Sequence, residues 1–263
     1  MTGRSRVVAK SGEHWHPGAA YLYVLHLDGP ALAWEYLRRH PDYRRDWSGR
    51  RRHADAAAHW GLRLLEDPAL DARDAQPVWC PDHAGMIQLH PDLDPPAGAE
   101  DFGLWRLPGR KRLVHDGRRL LVATRWSGNC LRLAIAPGLR EGMAYVCAAR
   151  ASASRNLANE AEKLVAGAVT NAMACARPSA TELLELHTLQ ALDGVLAGAS
   201  LRAVAAVLFG TATVAREWHA DSALRARVRR LVRRGRGLMR GGYRKLVSPP
   251  LEGGRSGSPT DRP

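Results

Sequence analysis

The hydrophobic period of this chain changes twice. Across residues 77–148 it is two: in "LRLAIA", Leu131, Leu133 and Ile135 alternate with Arg132 and Ala134, the pattern of a half-buried strand. On either side of that stretch, apolar residues recur at helical spacing. Strands gathered in one stretch between runs of helices exclude a strand–helix alternation and imply an α+β fold. Its expected parts are a small N-terminal helical module at residues 19–66, a central antiparallel β unit at 77–148, and a helical, helix-turn-helix-like C-terminal domain at 152–248. Residues 1–18 lack periodicity and read as a disordered arm. Residues 249–263, rich in Pro, Gly and Ser, read as a disordered tail.

Local signals fill in the elements. "KRLVHDGRRLLVATRW" sets Asp116-Gly117 between two apolar runs, the strongest short-range sign of a hairpin, because a tight turn of that hand needs positive φ. "VWC", "MIQLH", "LWRL" and "AYVCA" are further strand candidates. In the N-terminal module, Gly29 and Pro30 open a helix on which Ala33, Trp34 and Leu37 share a face, and Pro41 ends it. Tyr43 and Trp47 mark a second helical turn; "ADAAAHW" is a third, stopped by Gly61. Ser179 or Thr181 caps "ATELLELHTLQALDGVLAG", which stops at Gly198; Ser200 caps "LRAVAAVLF", which stops at Gly210. "TVAREW" is a short helix, and Asp221 or Ser222 caps the one that follows.

That following helix concentrates the charge of the chain. The 263 residues hold 39 Lys+Arg against 26 Asp+Glu, a net charge of +13, which points to a polyanionic partner. No acidic residue stands between Asp221 and Glu252, whereas Arg225, Arg227, Arg229, Arg230, Arg233, Arg234, Arg236, Arg240, Arg244 and Lys245 do. At about 100° per residue, Leu224, Val228, Leu231, Val232, Leu238 and Met239 fall in one arc of about 120°. Gly235 lies near its centre, where a neighbouring helix could approach closely. Arg225, Arg229, Arg233, Arg236 and Arg240 form one stripe; Arg227, Arg230 and Arg234 form a second. Arg225/Arg229, Arg229/Arg233, Arg230/Arg234 and Arg236/Arg240 are like-charged neighbours, each pair destabilising by roughly 0.2–0.5 kcal/mol. One reading is an ordinary solvated face, but such faces normally mix signs. The other is a face for double-stranded DNA, whose phosphates relieve the repulsion, with one or two guanine contacts added. The tight turns at "GAS" and "FG" fit a helix-turn-helix reader, although "TATVAREWHADS" before the basic helix is longer than a simple turn. Arg44, Arg45, Arg50, Arg51 and Arg52 form a second basic cluster, either further phosphate contacts or an exposed loop.

Other chemistries find little support. Cys80, Cys130, Cys147 and Cys175 are dispersed and read as reduced, mostly buried thiols of a cytoplasmic protein. No apolar run reaches the roughly 18 residues of a membrane span, and the first residues lack the apolar core of an export signal. There is no phosphate-binding loop, nucleophile elbow or paired-carboxylate pattern. His14-x-His16 and Cys80-x-x-His83 lack a second pair at metal-site spacing, and His53, His59, His187 and His219 are isolated. The expectation is a protein that is not an enzyme and uses neither metal nor cofactor.

"ALAWEYLRRHPDYRRDW" resembles the N-terminal "transcriptional regulator" domain of unknown function. "GASLRAVAAVLFG" and "VAREWHADSALRARVRRLVRRGRGLMRGGYRKL" resemble the C-terminal domain of unknown function that accompanies it in regulators of bacterial integrative and conjugative elements. The resemblance covers residues 20–66 and 77–248. It implies a two-part, DNA-binding activator of excision and transfer genes, with a small antiactivator protein and RNA polymerase as further partners. It also gives Trp34, Tyr36, Leu37, Tyr43 and Trp47 a role as a partner-binding surface; the alternative is that they form the core of a small module. Related short proteins with the C-terminal domain act as antiactivators, so the second reading is a protein-binding antiactivator or assembly factor. The oligomeric state is not implied.

Overall fold

A computed structural model describes residues 15–49, 56–82, 86–126, 129–149 and 177–247. Most of the expected arm, the expected tail, Arg50, Arg51, Arg52, His14, His53, His83 and Cys175 lie outside the described residues. The chain divides into two compact units. A helical unit gathers residues 1–54, 66–75 and 172–243; a sheet unit gathers 55–65, 76–171 and 244–263. Helices at both ends of the chain and a sheet between them make the fold α+β.

The sheet unit holds β1 (Ile87–Pro91), β2 (Arg110–His115), β3 (Leu120–Trp126), β4 (Asn129–Ile135) and β5 (Tyr145–Ala149), in the order β2-β3-β4-β1-β5. β2 and β3 form the expected hairpin, closed by His115 opposite Leu120. The Asp116 N–H donates to the Arg119 carbonyl at 3.1 Å, and its carboxylate accepts from the Arg118 and Arg119 N–H groups at 2.9 and 2.7 Å. Gly117, at φ +89°, and Arg118 therefore occupy the centre of the turn, one residue later than the Asp116-Gly117 pair suggests. The sheet is antiparallel-dominated, but β1 and β4 pair in parallel, with Ile87 opposite Leu133.

β4 is covered on both sides rather than half-buried. Leu131, Leu133 and Ile135 join Ile87, Leu89 and Val122 in one cluster. Ala134 joins Val78, Met86, Val114 and Leu121 in another. "LWRL" is not a strand: Leu104–Arg106 is a single 3-10 turn, with the Arg106 N–H bonded to the Gly103 carbonyl at 3.1 Å. Four residues between a glycine and a proline are too few for the period to distinguish strand from helical turn. In "VWC", Trp79 makes an isolated bridge to Leu62. α3 (Ala56–His59) and α8 (Arg244–Val247) also belong to this unit.

The helical unit holds a 3-10 helix (Gly18–His26), α1 (Gly29–Leu37), α2 (Pro41–Ser48), α4 (Ala180–Leu196), α5 (Leu201–Phe209), α6 (Thr211–Glu217) and α7 (Ala223–Gly237). Small polar residues set the starts. Asp28 caps α1 just ahead of Pro30, Ser179 and Glu182 form a reciprocal capping box on α4, and Ser200 and Ser222 cap α5 and α7. α1 has no polar face: Ala31 through Leu37 are all buried, so Ala33, Trp34 and Leu37 are part of a helix enclosed on every side. α4 is the central support, packing on the 3-10 helix, α5 and α7. Two glycines permit this. A Cβ at Gly194 would stand 2.9 Å from Val204 Cγ2, and one at Gly235 would stand 3.1 Å from Leu192 Cβ and 3.3 Å from the Thr188 carbonyl oxygen.

The basic run is not one helix. α7 ends at Gly237, and Leu238–Gly242 winds into a wider turn containing Arg240 (φ −82°, ψ 24°) and Gly241 (φ +121°). Only glycine adopts that φ at little cost, so the Gly241-Gly242 pair breaks the run before α8. Arg225 through Arg236 lie on α7, Arg240 in the turn, and Arg244 and Lys245 on α8. α5 and α6 are separated by Gly210 alone. The helix after the tight turn is therefore α6, and the basic helix comes one element later.

Candidate nucleic-acid interface

α7 has the two-sided character its sequence suggests. Leu224, Val228, Leu231, Val232 and Gly235 are buried, as is Met239 beyond its end, whereas Arg227, Arg229, Arg230, Arg233, Arg234, Arg236 and Arg240 are exposed. Arg225 is half-buried and donates to the Ala220 carbonyl at 3.4 Å.

The two arginine stripes differ in what they touch. In the second stripe, Arg234 pairs with Glu185 of α4, whose other oxygen accepts the Tyr36 hydroxyl at 2.6 Å. Arg227 lies over the Phe209 ring, 4.8 Å from its centroid. Both are engaged within the unit. The counter-charge on Glu185 sits on a different helix and has no signal in the basic run itself. In the first stripe, Arg229, Arg233, Arg236 and Arg240 line a groove of about 840 Å³ together with Val195, Val232 and the Gly198–Leu201 turn. Among the described residues, no carboxylate lines this groove. Among the described residues, these four arginines and Arg230 make no ion pair or side-chain hydrogen bond. The first turn of α5, whose free N–H groups carry partial positive charge, borders the same groove at Ser200 and Leu201.

The N-terminal aromatics sit inside the unit. Trp34, Tyr36, Leu37 and Tyr43 are fully buried, and Trp47 is half-buried. Trp34 Nε1 donates to the Leu70 carbonyl at 3.1 Å, and its ring meets the Tyr43 ring edge-on at 5.6 Å. The Tyr43 hydroxyl donates to the Glu66 carbonyl at 2.7 Å. Trp34, Tyr36 and Tyr43 are thus core residues and present no open face to a partner.

Charged groups are buried beside them. Arg39 forks onto Asp193 of α4 at 2.6 and 2.7 Å, Tyr21 donates to Asp193 at 2.6 Å, and Glu35 accepts from Arg38, Arg39 and the Ala72 N–H. Burial alone would push the Glu35 and Asp193 carboxyls up, but the Arg39 guanidinium beside both, with Arg38, holds them below the usual carboxylate range. Burial, and then the adjacent carboxylate, pushes the Tyr21 and Tyr36 hydroxyls up. These contacts join the N-terminal module to α4, the helix on which α7 rests.

Of the second basic cluster, Arg45 pairs with Asp42 at 2.8 Å and Arg44 donates to the Arg38 carbonyl at 2.9 Å. Burial, Arg38 and Arg39 push the Arg44 guanidinium down. Arg244 donates to the His59 carbonyl at 2.6 Å, and Lys245 is exposed. Among the described residues, no group of three His, Cys, Asp or Glu side chains could hold a metal, and no helix is long and apolar enough to cross a membrane.

An amphipathic helix seated by its apolar side, with unpaired arginines along an open groove, gives this α+β protein a concentrated positive face. The comparisons bear on that face. Residues 132–248, which include α7 and its groove, match the DNA-binding domain of a T6SS transcription factor. Residues 14–64 match a proteobacterial transcriptional regulator-like domain, and residues 84–131 a domain of unknown function (DUF7011). The first two are the parts of a transcriptional regulator that carries a DNA-binding domain. No curated protein matches the chain.

Proposed function

We propose that this chain is a cytoplasmic transcriptional regulator that binds double-stranded promoter DNA through α7 and the groove beside it. The observation that carries the reading is the set Arg229, Arg233, Arg236 and Arg240, unpaired among the described residues, in a groove that no described carboxylate lines. Holding four guanidinium groups together costs repulsion that a duplex, with one phosphate charge per ~1.7 Å of axis, removes. The finer reading is an activator of the excision and transfer genes of an integrative and conjugative element, restrained by a small antiactivator and acting with RNA polymerase. It rests on the resemblance of residues 31–47 and 198–246 to such regulators. The T6SS description of the matched DNA-binding domain supplies the competing target set.

Binding of a ~30 bp duplex should weaken steeply with added salt, because the counterion release that drives it becomes less favourable. An Arg229→Ala/Arg233→Ala/Arg236→Ala variant that stays folded should lose most of that binding; unchanged binding would remove α7 as the interface. Salt-insensitive binding to an acidic protein, with no binding to duplex, would favour the antiactivator. A genome-wide footprint combined with transcript levels separates transfer genes from secretion genes, and activation from repression.

A further inference from the structure

The arginines of α7 are not presented alike. At about 100° per residue, Arg229 and Arg236 stand about 120° and 100° from the seat at Gly235, on the flank that borders the groove. Arg233, about 160° away, is the outermost and stands at the lip of the groove; Arg230 stands about 140° away on the opposite flank, outside the groove. To read bases, a helix must enter a major groove about 12 Å wide and about 8.5 Å deep with its reading side chains outermost. Side chains that share a groove with the Gly198–Leu201 turn meet that condition less well than one outside it, because the turn borders them. A phosphodiester strand at the lip of the major groove does fit a concave site. Its anionic oxygens match forked guanidinium donors, and its sugars match the apolar Val195, Leu201 and Val232 side chains.

We propose that the groove beside α7 clasps the backbone of one DNA strand, with Arg229, Arg236 and Arg240 on successive phosphates, and that Arg230 on the outer flank reads base edges. The proposal rests on the DNA-binding reading above and divides the labour within it. Phosphate contacts set affinity and salt dependence without discriminating between sequences; base contacts do the reverse.

The test uses the full-length chain and two duplexes of equal length: one selected by the wild-type protein from a random pool, and its scrambled counterpart. Arg229→Ala/Arg236→Ala should weaken both duplexes by the same factor, leave their ratio unchanged and reduce the salt slope by about 2. Arg230→Ala should weaken the selected duplex roughly 5- to 150-fold and the scrambled one little. If the double variant lost discrimination while keeping its scrambled affinity and salt slope, the groove would be a base reader and the clamp would be wrong. If Arg230→Ala left the ratio unchanged, Arg230 would have no reading role. Inorganic pyrophosphate that bound the wild-type groove and raised duplex affinity would assign the site to a free phosphorylated ligand and overturn the clamp. A wild-type chain that binds neither duplex overturns the DNA-binding reading itself, a result distinct from failure of the clamp alone.

Discussion

Gly235 carries no charge, yet it sets how deeply the basic helix sits. Its place was readable from sequence, because it falls at the centre of an apolar arc that a neighbouring helix must cover. Gly235→Ala puts a methyl group against Leu192 Cβ and the Thr188 carbonyl, neither of them the end of a flexible side chain. Overpacking of about 1–3 kcal/mol outweighs the ~1 kcal/mol gained by removing a helix glycine, so the melting temperature should fall. A rise would mean that α4 yields. Asp193 has no local signal, because its partner Arg39 lies 154 residues away; nor has Glu185, whose partners Tyr36 and Arg234 lie 149 and 49 residues away. Asp193→Asn should cost about 2 kcal/mol at pH 7, less than the ~3–5 of a fully enclosed pair, since the Asp193 side chain keeps 23 % exposure. The sign with pH follows from a carboxyl held below its ordinary range. Its contribution is full above an unfolded pKa of about 3.9 and vanishes as pH falls through the lower folded value. Urea titrations should therefore show the gap between wild type and Asp193→Asn closing in acid. A gap constant down to the lowest pH at which both fold would assign the loss to packing.

Elements whose signals are local matched the structure: the β2–β3 hairpin, the stop at Gly198, and the caps at Ser179, Ser200 and Ser222. The misses are non-local or short. The parallel β1–β4 pair joins strands about 40 residues apart that no turn chemistry links. Residues 104–107 are too short for a period, and the break after Gly237 depends on a glycine pair that a helical wheel does not register. The cap on α7 gives a measurable consequence. The Ser222 hydroxyl accepts from the Arg225 N–H at 3.1 Å, and the residue is itself buried, so water replaces it poorly. Ser222→Ala should cost about 1 kcal/mol and speed hydrogen exchange at the first amides of α7 while leaving those of α4 protected. Uniform loss across both helices would mean that the cap holds the whole packing arrangement and not the helix start alone.

At the scale of the whole molecule, the matched segments and the compact units do not coincide. The boundary between the second and third matches, at residues 131 and 132, falls inside β4, and the DNA-binding match leaves out the N-terminal residues of the helical unit. A fragment of residues 132–248 would keep half of β4 without β1 or β3, uncovering Leu133, Ala134 and Ile135. It would also keep Glu185 and Asp193 while losing Tyr36, Arg39 and Tyr21. Either defect alone is comparable to the few kcal/mol by which domains of this size are stable. The fragment should therefore lack a cooperative thermal transition and disperse poorly by NMR, whereas the full chain should melt cooperatively. A fragment 132–248 that melted like the full chain would show that the N-terminal module is dispensable for seating α7. If instead it folds only with residues 1–131 supplied on a second chain, the regulator-like module and α7 share one folded core. Whatever acts on the module could then reach α7 through Arg39–Asp193 and Tyr36–Glu185–Arg234.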